Sequence, residues 1–221
     1  MKNYWGDVLS SKEYLAWGEE LFFDRLLSLC GKGSKVLEVG VGTGRMVKLL
    51  KRAGAEADFY GIDMAEQVLD VEIIGSIGDA RKLLYNDNAF DAVYSLGVVE
   101  HFPETELAIR EQCRVLKAGG YVFTTVPRLS IFSPLVLMRY LFTDRRRQGT
   151  FEEIMGRFMT VRQMTKIYRN AGLDVIEASP CGFYGTKRVM RRLHLKWFGD
   201  RIQRSIGAYM YIVGRKPVGG V

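Results

Sequence analysis

Residues 38–45 read Glu-Val-Gly-Val-Gly-Thr-Gly-Arg, and this stretch constrains the chain more than any other. It follows a short apolar run, Lys35-Val36-Leu37-Glu38-Val39, that predicts a buried strand. Residues 45–52 come next and carry helical periodicity, with Met46, Leu49 and Leu50 inward and Lys48, Lys51 and Arg52 outward. Glycines allow the backbone to turn tightly between strand and helix and to approach a ligand closely. In open α/β sheets ligands sit beyond the carboxyl ends of the strands, where this turn falls. A dinucleotide fingerprint starting at Gly40 would need a third glycine at position 45, where Arg45 stands. Glu38 just before the loop would also repel a pyrophosphate, so a ligand with a cationic end suits the loop better.

Downstream, strand and helix signals alternate. Strands are expected at 57–62, 72–77, 90–95 and 120–126, with helices at 65–69 and 105–116. An earlier helix is expected over 11–30, broken by Gly31 and Gly33. A helix over 160–171 with Gly172 as its stop leads to strands at 173–179 and 208–214. These last two lack an ordinary crossover helix and are expected to pair antiparallel at the sheet edge. The pattern predicts an α/β fold: a seven-stranded, mostly parallel sheet with helices on both faces and an antiparallel edge strand.

At 221 residues one domain with insertions is expected: an N-terminal helical cap (1–33), a core (34–127), and two insertions (128–158 and 180–206). Hydrophobic residues make up 48% and charged residues 26%, which argues against disorder. The longest apolar run, 131–142, is broken by Pro134 and Arg139 and is too short for a membrane span of ~20 residues. Polar and aromatic residues follow Lys2, so no secretory leader is expected. Three widely separated cysteines (Cys30, Cys113, Cys181) fit free thiols in a reducing compartment, and the protein is expected to be cytoplasmic. With two histidines and no Cys-x-x-Cys, no metal site is expected.

Charge is divided unevenly. Residues 1–127 carry 14 Lys/Arg against 19 Asp/Glu, a net of −5, whereas residues 128–221 carry 18 against 6, a net of +12. A basic half suits an anionic partner or a solvated face. Both insertions mix apolar residues with cations: 131–142 runs into Arg145-Arg146-Arg147, and Arg191, Arg192 and Lys196 alternate with Leu193, Leu195 and Trp197. Such segments suit the pocket of an apolar or anionic acceptor, peripheral contact with an anionic membrane surface, or an ordinary lid. His194 in the second insertion reads as a packing or surface residue.

With these motifs in view, the sequence resembles the class I S-adenosylmethionine-dependent methyltransferases, and within them the small-molecule branch that includes quinone-biosynthesis enzymes. The resemblance runs over about 34–127 and, more weakly, from Thr160 onward. It rests on the glycine loop, Gly61-Ile62-Asp63, Gly78-Asp79-Ala80, Phe90-Asp91-Ala92-Val93-Tyr94-Ser95, Val99-Glu100-His101-Phe102 and Val115-Leu116-Lys117-Ala118-Gly119-Gly120 in order. A proline common near position 84 in relatives is replaced by Leu84, which touches only the local loop shape.

The resemblance implies a Rossmann-like fold and S-adenosyl-L-methionine as cofactor. It places Gly40, Val41, Gly42, Thr43 and Gly44 around the cofactor, Asp63 at the ribose with Met64 beside it, and Asp79 at the adenine amino group with Ala80 packed nearby. Ser95 and Leu96 follow at the end of the fourth strand. Glu38 is assigned to the cationic methionine end. Asp63 as a helix cap, Asp79 as a turn residue, and Glu100 and His101 as loop-fixing residues remain open readings.

Methyl transfer from a sulfonium is an in-line displacement in which the protein mainly positions the reactants. His101 is the candidate base if the acceptor must lose a proton, since its ordinary pKa lies near neutrality. Three functions compete: methylation of a small apolar or anionic acceptor, methylation of RNA or DNA, and cofactor binding without catalysis. Ser95-Leu96-Gly97-Val98 lacks the Asn/Asp-Pro-Pro-aromatic pattern of exocyclic-amine methylases, which disfavours nucleic acid. Oligomeric state is not legible.

Overall fold

The computed structural model describes residues 19–129, 156–181 and 207–219. Among them, seven strands form one sheet: β1 (Lys35–Val39), β2 (Asp58–Asp63), β3 (Ile74–Ile77), β4 (Phe90–Leu96), β5 (Leu116–Pro127), β6 (Asp174–Cys181) and β7 (Tyr209–Arg215). The order is β3-β2-β1-β4-β5-β7-β6. Strands β1 to β5 pair in parallel, and β7 runs antiparallel to both β5 and β6. The expected mostly parallel sheet with antiparallel pairing at one edge is what forms, with β7 inserted between β5 and β6.

Alternation along the strands sorts side chains onto two faces. Val36 of β1 and Ala92 and Tyr94 of β4 pack with Met46, Val47 and Leu50 of α2 (Arg45–Arg52) and with Leu26 of α1 (Phe23–Ser28). Leu37 and Val39 of β1 and Val93 of β4 face the other way. They share a core with Ala108, Ile109 and Cys113 of α3 (Thr105–Val115) and Met164 and Tyr168 of α4 (Val161–Asn170). Helices therefore cover both faces, as a parallel sheet requires.

Helix α4 starts as its sequence suggests. Thr160 caps it, accepting from the Gln163 backbone N–H at 3.2 Å while the Gln163 side chain accepts from the Thr160 backbone N–H at 2.8 Å.

Three local expectations need correction. In the described part of 11–30 the chain forms a 3₁₀ turn (Glu19–Leu21) and then the six-residue α1, not one continuous helix. Glu19 and Phe22 are both buried here, so tertiary packing overrides the helical period. The short helix at 65–69 is a 3₁₀ segment, Glu66–Asp70. Helix α3 passes into β5 at Leu116, with no turn before residue 120. There the Lys216 ammonium donates to the carbonyls of Cys113 (2.9 Å) and Leu116 (2.8 Å), satisfying helix-end oxygens.

Candidate active site

The strand order reverses between β1 and β4, and ligands of open α/β sheets bind in the crevice at that switch point. The turns after β1 and β4 flank it. In the first, Gly40, Gly42 and Gly44 all have positive φ (78°, 53° and 67°), a region that strongly favours glycine. A Cβ on Gly40 would lie 2.2 Å from Val98 Cγ2, so this glycine lets the turn after β4 seat directly on the loop. Val41 is buried, and the Thr43 carbonyl accepts from Lys48 Nζ at 3.1 Å.

Glu38, near the end of β1, is 4% exposed. Its Oε2 accepts from the Tyr94 hydroxyl at 3.0 Å. Burial pushes its carboxyl up to about 8, against the opposing pull of the Tyr94 hydrogen bond and the Arg45 charge. Arg45 is itself gripped by Glu19 through two N–H contacts of 2.8 and 2.5 Å.

Asp63 ends β2 and braces the loop. Its Oδ2 accepts from the Gly42 N–H at 2.9 Å and its Oδ1 from the Ala65 N–H at 3.0 Å. Met64 beside it is 65% exposed, an apolar surface on the rim, whereas Ala80 is buried. After β3, Asp79 is held by Arg81, a residue the sequence reading passed over. Arg81 donates through its backbone N–H (2.8 Å to Oδ1), Nε (3.1 Å to each oxygen) and Nη2 (2.7 Å to Oδ2). These hydrogen bonds hold the Asp79 carboxyl below its usual range.

Ser95 is fully buried and faces the α3 side, with its hydroxyl 3.1 Å from Thr124 Oγ1 and 3.3 Å from Gln112 Nε2. Its side chain belongs to an internal polar chain that Tyr168 extends by donating to Thr124 at 2.6 Å. The Ser95 side chain is thus turned into the core, and the residue sits between β1 and β5 in the sheet. Leu96 closes β4 half-buried.

The 3₁₀ turn Val99–His101 follows. Glu100 is 2% exposed, its Oε2 has no hydrogen-bond partner, and burial pushes its carboxyl up to about 8. Burial lowers the pKa of His101, keeping its imidazole neutral at pH 7. The chain re-enters beside this turn at Gly156, whose added Cβ would meet Glu100 Cγ at 2.4 Å. Arg157 donates from its backbone N–H to the Glu100 carbonyl (3.0 Å) and from Nη2 to the carbonyls of Phe102 (2.9 Å) and Pro103 (2.8 Å). These contacts were not legible in the sequence, because partners more than fifty residues apart leave no periodicity.

Acidic side chains thus lie near the end of β1, at the end of β2 and after β3 on one sheet edge, beside a glycine turn whose residues 40–44 carry no cation. This donor set fits a cationic nucleoside. Comparisons with known proteins agree. The family described as methyltransferase domain matches residues 37–124. The chain belongs to the S-adenosylmethionine-dependent methyltransferases of class I. Within that class it is 30% identical over 182 residues to the ubiquinone biosynthesis O-methyltransferase of Chromobacterium violaceum, covering 76% of this chain and 75% of that one. It is 31% identical over 149 residues to the demethylmenaquinone methyltransferase of Staphylococcus aureus, covering 62% of this chain and 61% of that one, less than two thirds of its length.

The fold is shared with a methyltransferase from Thermotoga maritima (TM-score 0.61, 19% identity, 89% and 88% of the two chains). It is also shared with a Haemonchus contortus N-methyltransferase solved with S-adenosylhomocysteine (TM-score 0.64, 15% identity, 97% and 56%). The protein is an enzyme that uses S-adenosyl-L-methionine.

Among the described residues no helix is long and apolar enough to cross a membrane. Most of both insertions, including Arg145–Arg147 and His194, and the first part of the expected N-terminal cap lie outside the described residues.

Proposed function

We propose that this enzyme methylates a small apolar or anionic organic acceptor of the hydroxylated, quinol-like class. The observation that carries this reading is the 30% identity to a ubiquinone biosynthesis O-methyltransferase across three quarters of both chains. The base of the first insertion adds support. Leu129 N–H donates to the Met159 carbonyl at 2.8 Å and Arg157 to that of Glu100, so both ends of this insertion meet beside the turn after β4. An acceptor carried there would face the methyl group across the switch point.

In this reading the bound cofactor supplies an electrophilic methyl group. Glu38 lies toward its cationic methionine end and the glycine turn (Gly40, Val41, Gly42, Thr43, Gly44) against its backbone. Asp63 with Met64 takes the ribose and the ring edge, and Asp79 with Ala80 takes the adenine. Ser95 and Leu96 end the strand that borders the crevice, with half-buried Leu96 on its rim. His101, neutral and half-buried, takes the acceptor's hydroxyl proton as the oxygen attacks.

His101→Ala should lower kcat by about 10²-fold or more with cofactor affinity unchanged, as measured by steady-state kinetics and calorimetry. The wider test is transfer of labelled methyl into a cell extract split into lipid, small-molecule and RNA pools. Label in the lipid or small-molecule pool is the expected result. Label confined to RNA overturns the acceptor class in favour of nucleic acid, and absence of label in every pool favours a non-catalytic binder. Sedimentation with anionic liposomes at low salt tests the membrane-surface contact that the basic insertions suggested.

A further inference from the structure

The turn after β3 carries an arrangement that the cofactor reading does not use. Asp79 is 35% exposed and could swing freely as a turn aspartate, yet Arg81 donates to both of its oxygens at once. Arg81 is anchored in turn at its far end. Its Nη1 donates to Glu104 Oε2 at 2.8 Å, and its guanidinium lies 5.1 Å from the centre of the Phe102 ring. Phe102 and Glu104 stand at the start of the segment leading into α3, beyond Glu100 and His101. One side chain therefore ties the turn after β3 to the stretch after β4.

We propose that Arg81 is a positioning residue for the cofactor's adenine, acting through Asp79. This rests on the reading that Asp79 meets the adenine amino group. A carboxylate offers about four acceptor positions in all. Arg81 makes four contacts with Asp79, its Nε shared between the two oxygens, and the Asp79 side chain still keeps 35% of its surface exposed to a further donor. The pairing fixes the carboxylate's rotation and keeps it ionised, hence acceptor-only. An acceptor-only group in a fixed place binds an amino group and rejects a carbonyl at the same ring position. The guanidinium fork is what allows one residue to span Asp79 and Glu104, and a lysine offers only a point charge in its place.

The test is calorimetric binding of S-adenosylhomocysteine and of its inosine counterpart, in which a ring carbonyl replaces the amino group. The parent should prefer the adenine ligand. Arg81→Met should weaken adenine-ligand binding about tenfold, narrow that preference, and raise KM for the cofactor with kcat at saturation retained. Arg81→Lys should recover part of the loss. Combined with Asp79→Asn, Arg81→Met should add little, because both changes remove the same interaction. Unchanged affinity and preference in Arg81→Met, or losses that simply multiply in the double variant, overturn the positioning role. Parent-like affinity and preference in Asp79→Asn would instead overturn the adenine reading itself, and the two failures are thereby distinguished.

Discussion

Two glutamates beside the crevice are almost completely buried, Glu38 near the end of β1 and Glu100 in the turn after β4, and each is pushed to about 8 by loss of water. They differ in what surrounds them. Glu38 has the Tyr94 hydroxyl on one oxygen and the Arg45–Glu19 pair nearby. Glu100 has an oxygen with no partner and is packed against Gly156 instead. A buried polar atom without a partner is rare, since it keeps the full desolvation penalty. Glu38 thus has one oxygen met by the protein before any ligand arrives, while Glu100 carries a buried oxygen without a partner on the side proposed for the acceptor.

The largest expected effect comes from breaking the contact that joins the two turns. Gly40→Ala adds a methyl against Val98 in a left-handed backbone and should destabilise the fold by about 2–4 kcal/mol in chemical denaturation. Cofactor binding should fall with it.

Next is the titration of Glu100. Between pH 4.5 and 8 the unfolded chain has released this proton and the folded chain still holds it. The stability it contributes is complete below pH 4.5 and disappears as pH rises through about 8. Glu100→Gln does not titrate. Its stability relative to the parent should therefore improve by a few kcal/mol on the order-of-magnitude scale from pH 4.5 to pH 8. A parallel pair of stability–pH curves would show that Glu100 is not held protonated.

The smallest effect sharpens the contrast on the cofactor side. Glu38→Gln should weaken cofactor binding by about tenfold at pH 8.5. The difference should shrink at pH 6, where the parent's Glu38 is itself protonated. A loss equal at both values would remove the carboxylate's charge from the explanation.

Much of this was legible in the residues. The strand, glycine turn and helix at 35–52 read directly, because Gly40, Gly42 and Gly44 occupy the positive-φ positions that only glycine fills cheaply. That helices cover both faces followed from the alternation of strand and helix signals, whereas the opposite faces of Val36 and Leu37 are seen only in the structure. Helix α4 announced itself through Thr160 and Gly172, and the structure adds Gln163 to its cap. What escaped were side chains whose roles depend on tertiary neighbours. Arg81 reads as a surface cation until Asp79, Phe102 and Glu104 converge on it. Ser95 sits in a site motif, yet strand parity turns its hydroxyl into the core. Gly156 shows its use only when Glu100 is seen against it. The described part of 11–30 is not one continuous helix, because an apolar period cannot report where packing bends a chain.

The placement of β7 bears on how the chain assembles during synthesis. Among the described residues strand β6 finds its ladder partner only in β7, and β7 is made after it, with residues 182–208 between them. At about 5–20 residues per second on a ribosome, β6 waits a second or more with both rims unpaired. In the parallel core two spans are shorter, residues 40–57 between β1 and β2 and residues 97–115 between β4 and β5. This interval is when the nascent enzyme exposes a bare strand to its neighbours, and when a chaperone would be most useful to it.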